Sequence, residues 1–202
     1  EYMKSVLMSI HPKHCRKIFS GEKTIEFRRN APKIPCPYPI YIYETKKQYV
    51  KWQRGATTSF GYGSGKVIGW FFCESKNTLF WDSDIRYHEY LQNTYPKDRD
   101  VHMDYICRRG CLSFQELKDY ANGKDITMLY IEDPILFDKP RDLQDFLIKT
   151  NGRDCADYNA DKNCRNCKRY RSRDCFAEFD VAEFRPLFFA PQNFVYVEDI
   201  GQ

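Results

Sequence analysis

Every apolar run in this chain is short and is closed by a proline, a glycine or a group of charges, so the backbone must turn many times within 202 residues. Lys4–Ile10 (KSVLMSI), residues 37–45 (PYPIYIYET), 66–75 (KVIGWFFCES) and 126–133 (ITMLYIED), and Asn193–Asp199 (NFVYVED), each have the length and β-branched or aromatic content of a strand. None approaches the ~20 apolar residues that cross a bilayer. Met3-Lys4 and the short run after it lack the order of a secretion signal, so the expectation is a soluble, intracellular, cytoplasmic protein with no membrane partner. With 42% apolar and 16% aromatic residues the chain can bury a core, which excludes a wholly disordered polymer.

Between these runs the signals change. His11-Pro12 opens a helix, HPKHCRKIFSG, with Cys15, Ile18 and Phe19 on one side and Gly21 as its stop. Residues 23–29 (KTIEFRR) alternate and read as a half-buried strand: Thr24, Glu26 and Arg28 on a polar face, Ile25 and Phe27 toward the core, Lys23 at the rim. Residues 46–66 are polar and glycine-rich, the mark of a long hairpin connection. Their GYGSGK is no phosphate loop, because Lys66 is followed by Val67 and position 60 is Phe. A helix is expected around Asp84–Asn93. Another opens on the capping box Ser113-Phe-Gln-Glu116 and ends near Gly123. A short one is expected over Asp142–Ile148. The whole is one α+β domain over residues 1–202: five to six strands in a small mixed barrel, helices outside it, and a cysteine-rich insertion at 150–176.

The net charge of +4 is unevenly spread: residues 1–66 carry +9, residues 67–150 carry −4 and the remainder −1. A basic third on a near-neutral body is either a solvated face or a field for an anion, nucleic acid being the usual one. Nine cysteines cannot all pair internally, and four of them, Cys155, Cys164, Cys167 and Cys175, fall within 21 positions. One CxxC knuckle with two flanking thiols, in a segment almost without aliphatic residues, suits a structural zinc that staples the insertion. Free thiols in a flexible insertion and redox disulfides are the other two readings. His14, His88 and His102 show no ligand spacing and are read as surface or packing residues.

SIHPKHCRKIFSGEKTIEFRR resembles the opening signature of the ASCH domain, a relative of the PUA-like barrels, down to the G-x-K-x-x-E-x-R element formed by Gly21, Lys23, Glu26 and Arg28. PIYIYETK, GKVIGWFFCE, LSFQELKDYANGK, TMLYIEDPILFDKPRDLQDF and the ending RPLFFAPQNFVYVEDI follow in the family's order, with Asn193 where the family has Ser. The resemblance implies a PUA-like barrel that recognises RNA, nucleic acid more generally, or a modified nucleobase. It implies a ligand site at Lys23, Glu26 and Arg28, with Ser9, Thr24, Arg29 and Gln192 beside it. Glu26 would accept from an exocyclic amine while Lys23 and Arg28 or Arg29 meet oxygens. Trp52, Phe60, Tyr62 and Phe194 are candidates to stack on a base, or else simple packing.

Two other function classes stay open. One is a hydrolase acting on a modified nucleoside or nucleic acid, with Lys23 and Glu26 as an acid/base pair and Thr24 a neighbouring hydroxyl. Small ASCH-type amidohydrolases use a lysine, a threonine and a glutamate. Lys23 matches the lysine, but Glu26 stands in the threonine's place and CRRGC, residues 107–111, where the acid would be. The other is a protein-interaction module in transcription control, although nothing in the chain singles out a peptide groove.

Overall fold

A computed structural model describes residues 4–51, 59–89, 101–149, 184–187 and 189–198. Strand β1 (Ser5–Ile10) runs into helix α1 (Pro12–Phe19), which His11 caps by accepting the Lys13 N–H on Nδ1, with proline in the first turn. Gly21 follows at φ +78°, a left-handed residue that turns the chain toward β2 (Ile25–Arg28). Then come β3 (Tyr38–Glu44), β4 (Gln48–Lys51), β5 (Ser59–Tyr62) and β6 (Val67–Leu79). A π-helical turn (Trp81–Arg86), α2 (Val101–Gly110) and α3 (Phe114–Ala121) separate β6 from β7 (Ile126–Arg141). A 3₁₀ turn (Leu143–Asp145), β8 (Leu147–Lys149), β9 (Phe184–Pro186) and β10 (Phe194–Val197) complete the described elements.

Six strands form one mixed sheet in the order β10-β1-β3-β6-β7-β2, antiparallel except for β1 beside β3. Two ribbons, β4-β5 and β8-β9, stand beside it. The sheet curls: Arg28 on edge strand β2 donates to Asn193 Oδ1 at 2.9 Å, just before the opposite edge strand β10, and Asn193 donates back to Asn30 O at 2.7 Å. Among the described residues the two edges meet through these side chains and not through a backbone ladder.

Both faces of β1 and β3 are buried, so both read as apolar runs and not as alternating ones. One face, Val6, Met8, Ile10, Ile40 and Ile42 with Phe71 and Leu129, packs on Cys15 and Ile18 of α1. The other, Leu7, Tyr41 and Tyr43, packs with Val67, Phe146, Leu187 and Val197. A separate cluster joins Ile25 and Phe27 of β2 to Leu79, Ile85, Met103, Ile106, Leu117 and Ile126 under α2 and α3.

Several expectations need correction. The 46–66 connection contains the β4-β5 ribbon, because Gln48–Lys51 pairs with Ser59–Tyr62 in register. Asp142–Ile148 is a single 3₁₀ turn followed by β8, since Phe146 is drawn into the apolar cluster below and the chain extends. Strands β6 and β7 run past 75 and 133, paired to each other with three register shifts that let them bend. The expected Asp84–Asn93 helix is helical over its described part, the π-helical turn Trp81–Arg86 running into α-helical residues 87–89, and residues 90–93 lie outside the described residues.

Candidate functional site

Lys23 is placed by the turn that ends α1: its N–H donates to Lys17 O, and its side chain runs back into the protein until only 2% of it is exposed. There Nζ donates to the carbonyl of Gly110, the last residue of α2, at 2.7 Å and stands 3.3 Å from Glu26 Oε2. Glu26 Oε1 meets Arg28 Nη2 at 2.9 Å. Arg28 also donates from Nη2 to Ser9 O and from Nη1 to Asn193 Oδ1, each at 2.9 Å. The outcome is a buried chain of cation, anion, cation.

The half-buried strand expected over 23–29 is therefore corrected: all four residues of β2 are buried. The alternation itself holds, with Ile25 and Phe27 in an apolar core cluster. Glu26 lies opposite Leu129, on the face shared with β1 and α1, whereas Ile25 and Phe27 lie opposite Tyr130 and Met128, under α2 and α3. Two helices inserted between β6 and β7 supply an apolar roof for the outer face, and this leaves the charged face to look into the curl.

A cavity of about 340 Å³ opens on this triad. Ser9 and Ile10 of β1, His11 and His14 at α1, Lys23, Glu26, Phe27 and Arg28, Lys47 after β3, Leu112, and Glu116 and Tyr120 of α3 line it. Burial alone would raise the Glu26 carboxyl, but the charges of Lys23 and then Arg28 outweigh that and hold it below the ordinary carboxylate value. The His14 ring is pushed down to about 4, first by burial and next by the neighbouring Lys23 charge, so it is neutral near pH 7. Its Nδ1 and Arg28 Nε are buried without a hydrogen-bond partner among the described residues. Two cations against one anion leave the buried triad with a surplus positive charge. A ligand bringing oxygen or ring-nitrogen acceptors would answer both the charge and the orphaned Arg28 donor.

Of the residues singled out by sequence, the structure brings Ser9, Lys23, Glu26 and Arg28 to one cavity. Thr24 is elsewhere: Arg109 Nε donates to its Oγ1 at 2.7 Å, as strand alternation requires of a neighbour of Lys23. Arg29 is exposed and lies over the Tyr120 ring, 5.2 Å from its centroid. Gln192 is exposed. Phe194 packs against the core and edge-on to Tyr196, Tyr62 is exposed on β5, and Trp52 lies outside the described residues. Cys155, Cys164, Cys167 and Cys175 also lie outside them. Among the described residues no group of three or more His, Cys, Asp or Glu side chains is arranged to hold a metal ion. No helix among them is long and apolar enough to cross a membrane.

Sequence reading passed over His14, Lys47, Leu112 and Tyr120 as site residues and saw in Glu116 only a capping residue. Glu116 does cap, through Ser113, and lines the cavity besides. The one available signal was His11-Pro12-Lys13-His14, which sets a second imidazole one turn into α1, on the side facing β2. As for chemistry, a lysine acting as a base must accept a proton, whereas Nζ of Lys23 is committed as a donor to Gly110 O and faces a carboxylate.

No family model matches the chain, and no curated protein does. Solved structures do. The crystal structure of ASCH from Zymomonas mobilis shares 25% identity, covers 69% of this chain and 74% of that one, and superposes with a TM-score of 0.44. Two substituted forms of the same protein match at 25% and 26% identity, over 69% and 70% of this chain and 76% and 75% of theirs, each with a TM-score of 0.43. Over that span the chain is similar in structure to this ASCH protein of Zymomonas mobilis.

Proposed function

We propose that this chain is an ASCH-type, PUA-like domain, its six-stranded sheet curled into a small barrel, which holds a base of RNA or a modified nucleoside in the cavity at β2. One observation carries the reading: a buried, net-positive Lys23–Glu26–Arg28 triad with an unpartnered Arg28 donor lines a cavity large enough to admit a nucleobase. Its volume of about 340 Å³ falls at the lower end of the range for small-molecule sites. Glu26 is held as an acceptor for ring N–H or amine groups, Arg28 as a donor to carbonyl oxygen, and Tyr120 offers an aromatic wall. The G-x-K-x-x-E-x-R likeness supports the same reading, since PUA-like relatives bind RNA. The basic N-terminal third would draw the phosphate backbone toward the mouth.

The test is a titration of the protein with nucleosides and with a short single-stranded RNA, following the His14 ring by NMR. Saturable shifts of His14 are expected. Lys47→Ala removes an exposed lining charge without touching the buried triad, and should weaken RNA binding several-fold. Titrations that leave His14 unmoved would reject the site. For the insertion we propose a structural zinc on Cys155, Cys164, Cys167 and Cys175. Native mass spectrometry should then show one zinc ion, lost with a chelator and absent in Cys164→Ser.

A further inference from the structure

Cys36 and Cys73 are neighbours that the sequence keeps 37 residues apart. Cys36 sits in the connection between β2 and β3, and Cys73 is on β6, paired in register with Tyr38. Their sulfurs lie 3.8 Å apart. Of the five described cysteines these two touch; Cys15 donates instead to Ile10 O and Cys111 to Glu22 O. Cys36 is half-buried between exposed Pro35 and Pro37, so a reagent can reach it, while Cys73 is fully enclosed behind it. The segment that carries Cys36 is already fastened to β6: Lys76 Nζ donates to Pro32 O and to Ile34 O, each at 2.8 Å.

We propose that Cys36 and Cys73 form an oxidation site that a low-molecular-weight disulfide converts to an internal cystine. The Cys36 thiolate attacks one sulfur of the reagent; the reagent's S–S bond breaks, one half leaves as a thiolate, and a mixed disulfide forms on Cys36. The Cys73 thiolate then attacks the Cys36 sulfur and expels the second half. The two protein sulfurs are oxidised, the two reagent sulfurs are reduced, and the two protons leaving the protein thiols end on the two released thiols. Burial pushes the Cys73 thiol up to about 12, so the second step is the slow one and quickens as the pH is raised. The cystine would fix the connection that follows Arg28 to the middle of the sheet.

The experiment is treatment of the full chain with oxidised glutathione, alkylation of the remaining thiols, digestion without reduction, and peptide mass spectrometry. A Cys36–Cys73 peptide pair is expected, two mass units lighter than the sum of the reduced peptides and formed faster at pH 9 than at pH 7. The oxidised protein should melt several degrees above the reduced one, because the cross-link restricts the unfolded chain. Cys36→Ala should melt alike with and without oxidant. Glutathione still retained on Cys36 at pH 9 after the reaction has run to completion, or free Cys36 and Cys73 after treatment of the folded protein, overturns the proposal. Because the readout is peptide-resolved, bridges formed elsewhere do not bear on it.

Discussion

His14 makes the folded protein acid-sensitive. Its ring holds a proton only below about 4 in the folded state, against 6.5 for an ordinary histidine. Between those values the unfolded chain binds the extra proton, so stability falls as the pH drops from 6.5 to 4. Glu26 acts in the same sense lower down. Its folded value lies below 4.5, so its contribution is complete above that pH and is lost as the pH falls through the folded value. His14→Gln should flatten the plot of urea midpoint against pH between 6.5 and 4 while leaving the acid limb of Glu26 in place. A mutant profile parallel to the wild type would remove His14 as the cause. Glu26→Gln tests the triad: it strips Lys23 and Arg28 of the carboxylate they share in a buried setting, a class of change that costs about 3–5 kcal/mol in denaturant unfolding.

The helices α2 and α3 matter to the site through their ends. Gly110 closes α2 with a carbonyl that receives Lys23, and a Cβ on it would overlap the buried Phe27 ring. Gly110→Ala should therefore cost about 1–3 kcal/mol by overpacking, measured by chemical denaturation, and should move the Lys23 and Glu26 signals in an NMR spectrum. Ser113→Ala removes the capping box of α3 at the other side of the same corner and should cost roughly 1 kcal/mol. At this scale the sequence was informative where the signal is local. The proline, the apolar side and Gly21 told where α1 starts and stops; Ser113 and Glu116 told where α3 starts. It was silent where packing is remote. Alternation in KTIEFRR separates Glu26 and Arg28 from Ile25 and Phe27, but it cannot say that both sets are buried. That depends on α2 and α3, some 80 residues later, offering an apolar roof to Phe27. Lys47, Leu112 and Tyr120 escaped notice for the same reason: they come to the cavity from three separate segments and share no spacing.

Taken whole, the molecule combines a small cavity with a positive N-terminal third of charge +9. Backbone contacts by that third should make RNA binding fall with salt, log K against log salt sloping by about −0.7 for each phosphate met. Neutralising Arg169, Arg171 and Arg173 of the insertion should reduce the slope, and an unchanged slope would place the insertion outside the contact. Arg28 adds a consequence that concerns motion. One guanidinium answers the cavity and also joins β2 to Asn193 beside β10. A molecule seated on Arg28 would thus brace the seam between the sheet's two margins. Amide hydrogens of Phe194–Val197, remote in sequence from β2, should then exchange more slowly with deuterium when the cavity is filled.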